Sequence, residues 1–218
     1  MKLDSILTQY GIKQYYVSRE VADILRESLI ESEQTILSLP GNMAFGYPAT
    51  QITGKIERYN LFRDVEEWYR FGLPHMKSMV GDFLGLNEGE ECKMKSWGNI
   101  LRMDQKIFPH RHFGVPDTYT DLPQSVSGNV FLGGDAETST TYILGGDKVD
   151  IPNYYGQFTL FPPNISHAVR AYKSEGIRVS AAFDVLCTAR DPEGYVSGNL
   201  WYTWNHQDEF NENLSRHS

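Results

Sequence analysis

Gly156-Gln-Phe-Thr-Leu-Phe-Pro-Pro-Asn-Ile-Ser-His167, followed eleven residues later by Arg178-Val-Ser180, is the stretch on which the fold turns. The glycine opens a strand, the apolar residues Phe158 to Phe161 supply core, and Pro162-Pro163-Asn164 makes a turn that ends it. His167 then falls on the first residues of the next strand. A further apolar strand runs from Ile177 to Val185, and strand alternation puts Arg178 and Ser180 on one face. That face carries a cation into an apolar core, where a guanidinium needs an anion beside it. With no anion assigned to it from its own strand, a ligand carboxylate is the natural partner. Arg grips a carboxylate through two parallel hydrogen bonds, and the serine hydroxyl adds a third.

Outward from this stretch the texture is the same back to about Cys92. SWGNILRM (96–103), SGNVFLGG (127–134) and TTYILGG (140–146) are short β-rich runs divided by turn residues, the pattern of a sandwich or small barrel. Before Cys92 the periodicity becomes helical. Ser18 caps a helix with Val21, Ile24, Leu25, Leu29 and Ile30 on one face, extending to about Leu39. A second helix spans about Asp64 to Leu84, with Pro74 expected to kink or split it and Gly85 as its C-cap. The expected layout is one mainly β domain: a helical part over about 1–92, a β core over about 93–188, and a tail (189–218) with no assignment. Substrate choice is expected from the loops Gly114–Gln124, Gly133–Ile151 and Ser38–Tyr59.

Composition excludes several classes. Hydrophobic residues make up 40% and charged residues 22%, which is globular rather than disordered. No apolar run approaches the roughly 18 residues of a membrane span. The start MKLDSILTQYGIKQ has no signal-peptide core, so a soluble, cytoplasmic protein is expected. Lys+Arg 20 against Asp+Glu 28 gives −8, a balance that repels a phosphate backbone and argues against nucleic-acid partners. Cys92 and Cys187 have no paired spacing and are expected to be ordinary buried thiols.

Of the six histidines, His110 and His112 form a His-x-His pair that a strand would aim at one point, and His167 follows after 55 residues. Imidazole is the commonest ligand for Fe, Zn, Cu and Ni. His75, in the helical part, and His206 and His217, in the tail, are expected to be solvated.

These elements together resemble the 2-oxoglutarate/Fe(II)-dependent oxygenases, whose signature is His-x-Asp/Glu, a long gap, His, and then a short gap to Arg or Lys. A microbial and phage subgroup is the closer resemblance. Its pattern reads here as Trp97-Gly-Asn99, Pro109-His110-Arg-His112, Ser127-Gly128-Asn-Val-Phe-Leu132, Gly156 to His167 and Arg178-Val-Ser180, covering about residues 95–185. The resemblance implies a double-stranded β-helix (jelly-roll, cupin-like) with Fe(II) in its mouth. It implies 2-oxoglutarate as cosubstrate, O2, and a small-molecule or peptide substrate to hydroxylate. By position, His110 and His167 are metal ligands, Arg178 with Ser180 binds the distal carboxylate of 2-oxoglutarate, and Asn99 reaches its other end. The departure is His112, which occupies the family's Asp/Glu position and is expected to be the third ligand. Two alternatives stand beside this reading. A three-histidine cupin-type dioxygenase or lyase fits the histidines and Pro162-x-Asn164-x-x-His167, but has no use for Arg178 with Ser180. A non-catalytic jelly-roll binding or structural module is the other.

Overall fold

Each β-rich run of the sequence is a strand, and the turn residues between runs carry the chain from one sheet to the other. The computed structural model describes residues 3–87, 90–112, 124–135, 138–187 and 201–204. Over these the strands are β1 (Lys13–Tyr16), β2 (Cys92–Leu101), β3 (Ile107–His110), β4 (Gln124–Phe131), β5 (Ser139–Leu144), β6 (Asp147–Pro152), β7 (Gln157–Phe161), β8 (Ser166–Val169), β9 (Arg178–Cys187) and β10 (Tyr202–Thr203). One antiparallel sheet has the order β1-β7-β4-β9-β2-β10 and the other β3-β8-β5-β6. From β2 to β9 the chain passes back and forth between the two sheets, which is the expected double-stranded β-helix. Gly156 makes the entry to β7 possible: its φ is +73°, and a Cβ there would lie 3.3 Å from the Val17 carbonyl.

The helices are α1 (Leu3–Gln9), α2 (Arg19–Glu31), α3 (Glu33–Ser38), α4 (Leu61–Asp64) and α5 (Leu73–Leu84). Leu25 and Leu29 of α2, Ile36 of α3 and Met76 of α5 share one buried cluster with Ile100, Val126, Phe158, Val179 and Phe183 of the six-stranded sheet. Each such side chain contributes about 1.5–3 kcal/mol by leaving water. The helical layer therefore seals one face of that sheet and leaves the opposite face to the interior of the β-helix. Gly98 lets the layers meet closely, because a Cβ on it would stand 2.5 Å from Leu29 Cδ1. Its neighbours Trp97 and Asn99 point the other way, into the interior. No helix among the described residues is long and apolar enough to cross a membrane.

Several expectations need correction. Ser18 does cap α2, accepting the Val21 N–H, but the helix stops at Ser32 rather than running to Leu39. The Ser32 hydroxyl donates to the Ser28 carbonyl and competes with the helical ladder there. In the second helical segment the break is a π turn over Trp68–Gly72, ahead of Pro74. Pro74 follows it as the second residue of α5, and the wider π turn accommodates the ring and the N–H that proline lacks. The loop expected over Gly133–Ile151 contains the hairpin β5–β6. Part of the unassigned tail is β10, paired to β2, with Trp204 buried beside it. Cys92 and Cys187 are not free thiols: they oppose each other in the β2–β9 ladder and form a disulfide. Residues 114–123, expected as a substrate loop, lie outside the described residues, as do the tail histidines His206 and His217.

Candidate metal centre and cosubstrate pocket

His110 ends β3 and His167 sits in β8, and the two are direct cross-strand partners. β3 stops at His110, so strand alternation is not what brings in His112. Its backbone N–H donates to the Pro163 carbonyl at 3.2 Å, so the Pro-Pro turn that ends β7 also holds this histidine in place. The three Nε2 atoms meet: 3.2 Å from His110 to His112 and 3.2 Å from His112 to His167.

The other ring nitrogens decide what these Nε2 atoms are. His110 Nδ1 donates to the Phe108 carbonyl at 2.7 Å, His167 Nδ1 to the Ile165 carbonyl at 3.1 Å, and His112 Nδ1 to Asp184 Oδ1 at 2.5 Å. A neutral imidazole that donates from Nδ1 carries its lone pair on Nε2. Three Nε2 atoms thus face one point, a grouping that could hold a metal ion. Imidazole–metal bonds of about 2.1 Å place neighbouring ligand nitrogens roughly 3 Å apart, which the observed spacing matches. Burial pushes the pKa of His110 below the usual value, with His112 adding to it, and pushes His167 well below, with His112 and His110 adding. Both are therefore held in the neutral form that binds metal.

The rings are fixed from behind. Asp184 Oδ1 also accepts the Ser127 hydroxyl at 2.6 Å. Phe161 packs edge-on against His167 at 4.8 Å between centroids, Tyr142 stacks on it at 5.8 Å, and Trp97 lies 5.3 Å from His112. Outer partners of this kind set ligand orientation and basicity.

A cavity of about 340 Å³ joins the three histidines to Arg178, Ser180 and Asn99. Arg178 is 2% exposed and donates to Ser180 Oγ at 2.8 Å, while its Nε has no partner. Its guanidinium lies 5.2 Å from the Phe131 ring centroid, and among the described residues no acid pairs with it. Burial lowers its pKa to about 10, so it stays a cation at neutral pH. A buried cation without a paired acid is costly, and an anion beside it would relieve that cost. Asn99 stands opposite Ser180 in the ladder, and its carbonyl oxygen already accepts the Thr53 hydroxyl at 2.7 Å. What it has left to offer a ligand is its amide N–H.

Solved structures share this architecture. HygX from Streptomyces hygroscopicus, with nickel, 2-oxoglutarate and hygromycin B bound, is 16% identical; the match covers 87% of this chain and 88% of that one at a TM-score of 0.59. AviO1 from Streptomyces viridochromogenes Tue57 is 12% identical over 88% and 97% of the two chains, TM-score 0.61. A prolyl-4-hydroxylase from Pseudomonas putida is 13% identical over 84% and 96%, TM-score 0.54. The chain has the fold of the non-heme 2-oxoglutarate oxygenases. At these identities the likeness speaks for the fold alone. No protein-family model matches the sequence, and no curated protein does.

Within this oxygenase fold the structure brings all six residues singled out from the sequence, His110, His112, His167, Arg178, Ser180 and Asn99, to one cavity. His75 is exposed, as expected. Sequence reasoning passed over Asp184, Ser127 and Lys95. Asp184 had a readable signal: it continues the Arg178, Ser180, Ala182 alternation in β9 and so shares their face. It serves His112, however, and not Arg178. Trp97 is buried and walls the cavity beside His112.

Proposed function

We propose that this protein is an Fe(II)- and 2-oxoglutarate-dependent oxygenase in which His110, His112 and His167 hold the metal. Arg178 and Ser180 hold the distal carboxylate of 2-oxoglutarate, and Asn99 offers its amide N–H to the other end of the cosubstrate. The observation that carries this reading is the buried, anion-less Arg178 in the same cavity as three imidazoles whose lone pairs converge. Bound Fe(II) with 2-oxoglutarate supplies the activation of O2, one oxygen atom going to succinate as CO2 leaves and the other to a substrate C–H bond. The chain's own part is positional. Arg178 and Ser180 anchor one end of the diacid and so aim its other end at the histidines. Phe131, Phe161 and Trp97 keep the surroundings apolar, which strengthens each of these polar contacts.

The substrate we infer is a small molecule or a peptide side chain, and the outcome hydroxylation. A three-histidine cupin-type enzyme would use the same metal ligands but leaves a buried guanidinium with nothing to bind. The deciding experiment incubates the purified chain with Fe(II), 2-oxoglutarate and O2 and measures succinate. Wild type should release succinate and His167→Ala should not. Equal iron binding by His167→Ala and wild type in a titration would refute the metal assignment.

A further inference from the structure

Alternation along β2 places Lys95, Trp97 and Asn99 on the cavity face, and all three line it. Asn99 belongs with the cosubstrate pocket and Trp97 packs on His112, but Lys95 has no place in the reading above. It is half-buried and makes no hydrogen bond or ion pair among the described residues. Asp184 is its direct cross-strand partner in β9, yet that carboxylate already accepts from His112 and Ser127 and forms no ion pair with the lysine. Glu57, the other acid that acts on Lys95, is exposed and also forms no ion pair with it. Burial lowers the lysine pKa, and the attraction of those two acids offsets this in part.

The charge balance of the cavity points the same way. Among the described residues its charged lining is Lys95, Arg111 and Arg178 against Asp184. A divalent metal and the doubly negative cosubstrate cancel. Three imidazoles bring no negative charge, so the described lining of the loaded cavity stays net positive. Arg178 is assigned to the cosubstrate and Arg111 is exposed to water, which leaves Lys95 as the half-buried cation without an ion pair among the described residues.

The walls near the mouth are apolar. Phe45 is 71% exposed and held at φ +55°, a left-handed conformation rare for a phenylalanine, so that its ring stands at the rim. Tyr47 and Phe108 pack together there at 5.3 Å between centroids.

We propose that the substrate oxidised in this cavity is a small carboxylic acid with an apolar body, and that Lys95 is the residue that selects it by pairing with the carboxylate. This rests on the oxygenase reading and specifies its substrate class. The ring or chain of the substrate lies toward Trp97 and the aromatic rim, while the lysine fixes its depth.

The test uses the full chain loaded with Mn(II) and 2-oxoglutarate, titrated calorimetrically with 3-phenylpropionate and with its uncharged amide. Wild type should bind the acid at least about tenfold more tightly than the amide, the scale of one partly buried charged contact. Lys95→Met and Lys95→Gln should abolish that preference, and Lys95→Arg should keep it. Either neutral variant that folds suffices, as judged by an unchanged melting temperature. All of these variants should bind 2-oxoglutarate like wild type. Absence of acid binding, equal binding of acid and amide by wild type, or a preference that survives in both neutral variants would overturn the proposal. So would loss of 2-oxoglutarate binding in the neutral variants, which would assign Lys95 to the cosubstrate. Failure of the oxygenase reading is visible separately, as 2-oxoglutarate affinity indifferent to Arg178→Ala.

Discussion

Asp184 Oδ1 lies 2.5 Å from His112 Nδ1, and the same oxygen takes the Ser127 hydroxyl at 2.6 Å. The proposed metal centre therefore has a carboxylate behind one of its imidazoles, contributed by β9, where the related signature has one at the position of His112. An anion in that position fixes the ring tautomer and makes Nε2 a better donor. It also delivers part of its charge to the site through the ring.

Removing that charge should weaken the metal site without removing any ligand. Asp184→Asn is expected to lower metal affinity about 10- to 100-fold, the usual cost of losing such a partner, measured by competition with a chelator. His112→Asp would restore the related signature but would set a second carboxylate near Asp184. It should bind metal less tightly than wild type, and Asp184→Asn in that background should recover part of the loss. Additive effects of the two substitutions would show that positions 112 and 184 do not communicate.

Arg178 is the second lever. Arg178→Ala should cost about 2–5 kcal/mol in 2-oxoglutarate affinity, the range for truncating one side of a buried charge pair. Arg178→Lys should recover only part of it, because an ammonium supplies a point charge and no fork. Metal affinity should hardly change in either variant, since Arg178 makes no hydrogen bond to the histidines or to Asp184. Calorimetric titration of 2-oxoglutarate in the presence of Mn(II) checks both statements.

The site is legible where local pattern and chemistry coincide. Gly156 to His167 announces strand, turn and ligand in twelve residues, and an arginine alternating with a serine in an apolar strand is conspicuous. Long-range register is where legibility ends. Cys187 finds Cys92, and Asp184 comes beside Lys95, only because β9 pairs with β2 in one particular alignment. Strand alternation does not account for His112, since β3 ends before it and Pro163 holds it instead. β8 is four residues long with the partly buried pattern Ser-His-Ala-Val, too short for alternation to stand out from a loop.

Buried His167 and half-buried His110 also set a pH dependence for the metal-free chain. Burial holds the folded pKa values of His110 and His167 below their ordinary value. Below about pH 6.5 the unfolded chain therefore takes up protons that the folded chain refuses. Stability is fully present above about pH 6.5 and falls as pH drops toward the folded pKa values. The slope approaches about 1.4 kcal/mol per pH unit for each of the two groups. Urea unfolding of the metal-free chain between pH 7 and pH 5 should show this decline. Saturating Mn(II) should displace it to lower pH, because the ion competes for the same lone pairs. His167→Gln should flatten the profile, and an unchanged profile would mean that His167 contributes nothing to it.

The disulfide should act on one end of the β2–β9 ladder and little elsewhere. Cys92 and Cys187 are 95 residues apart, so closing that loop restrains the unfolded chain by about 4–5 kcal/mol in the chain-entropy account. Reduction is therefore expected to lower stability by up to that amount, read as a lower urea midpoint. The Cys92→Ala/Cys187→Ala chain should show the same loss and no further response to reductant. The bridge is buried, and the Trp204 N–H donates to the Cys92 carbonyl just outside it, so reductant gains access only when this end opens. Alkylation of native protein should accordingly be slow even in dithiothreitol and become rapid in denaturant. Amide exchange should rise on reduction at residues 92–94 and 202–204, where β10 is pinned to the ladder. It should stay unchanged around Arg178 and Ser180, at the far end of the same strands. Uniform loss of protection along β9 would instead show that the bridge holds the whole sheet, Arg178 and Ser180 included.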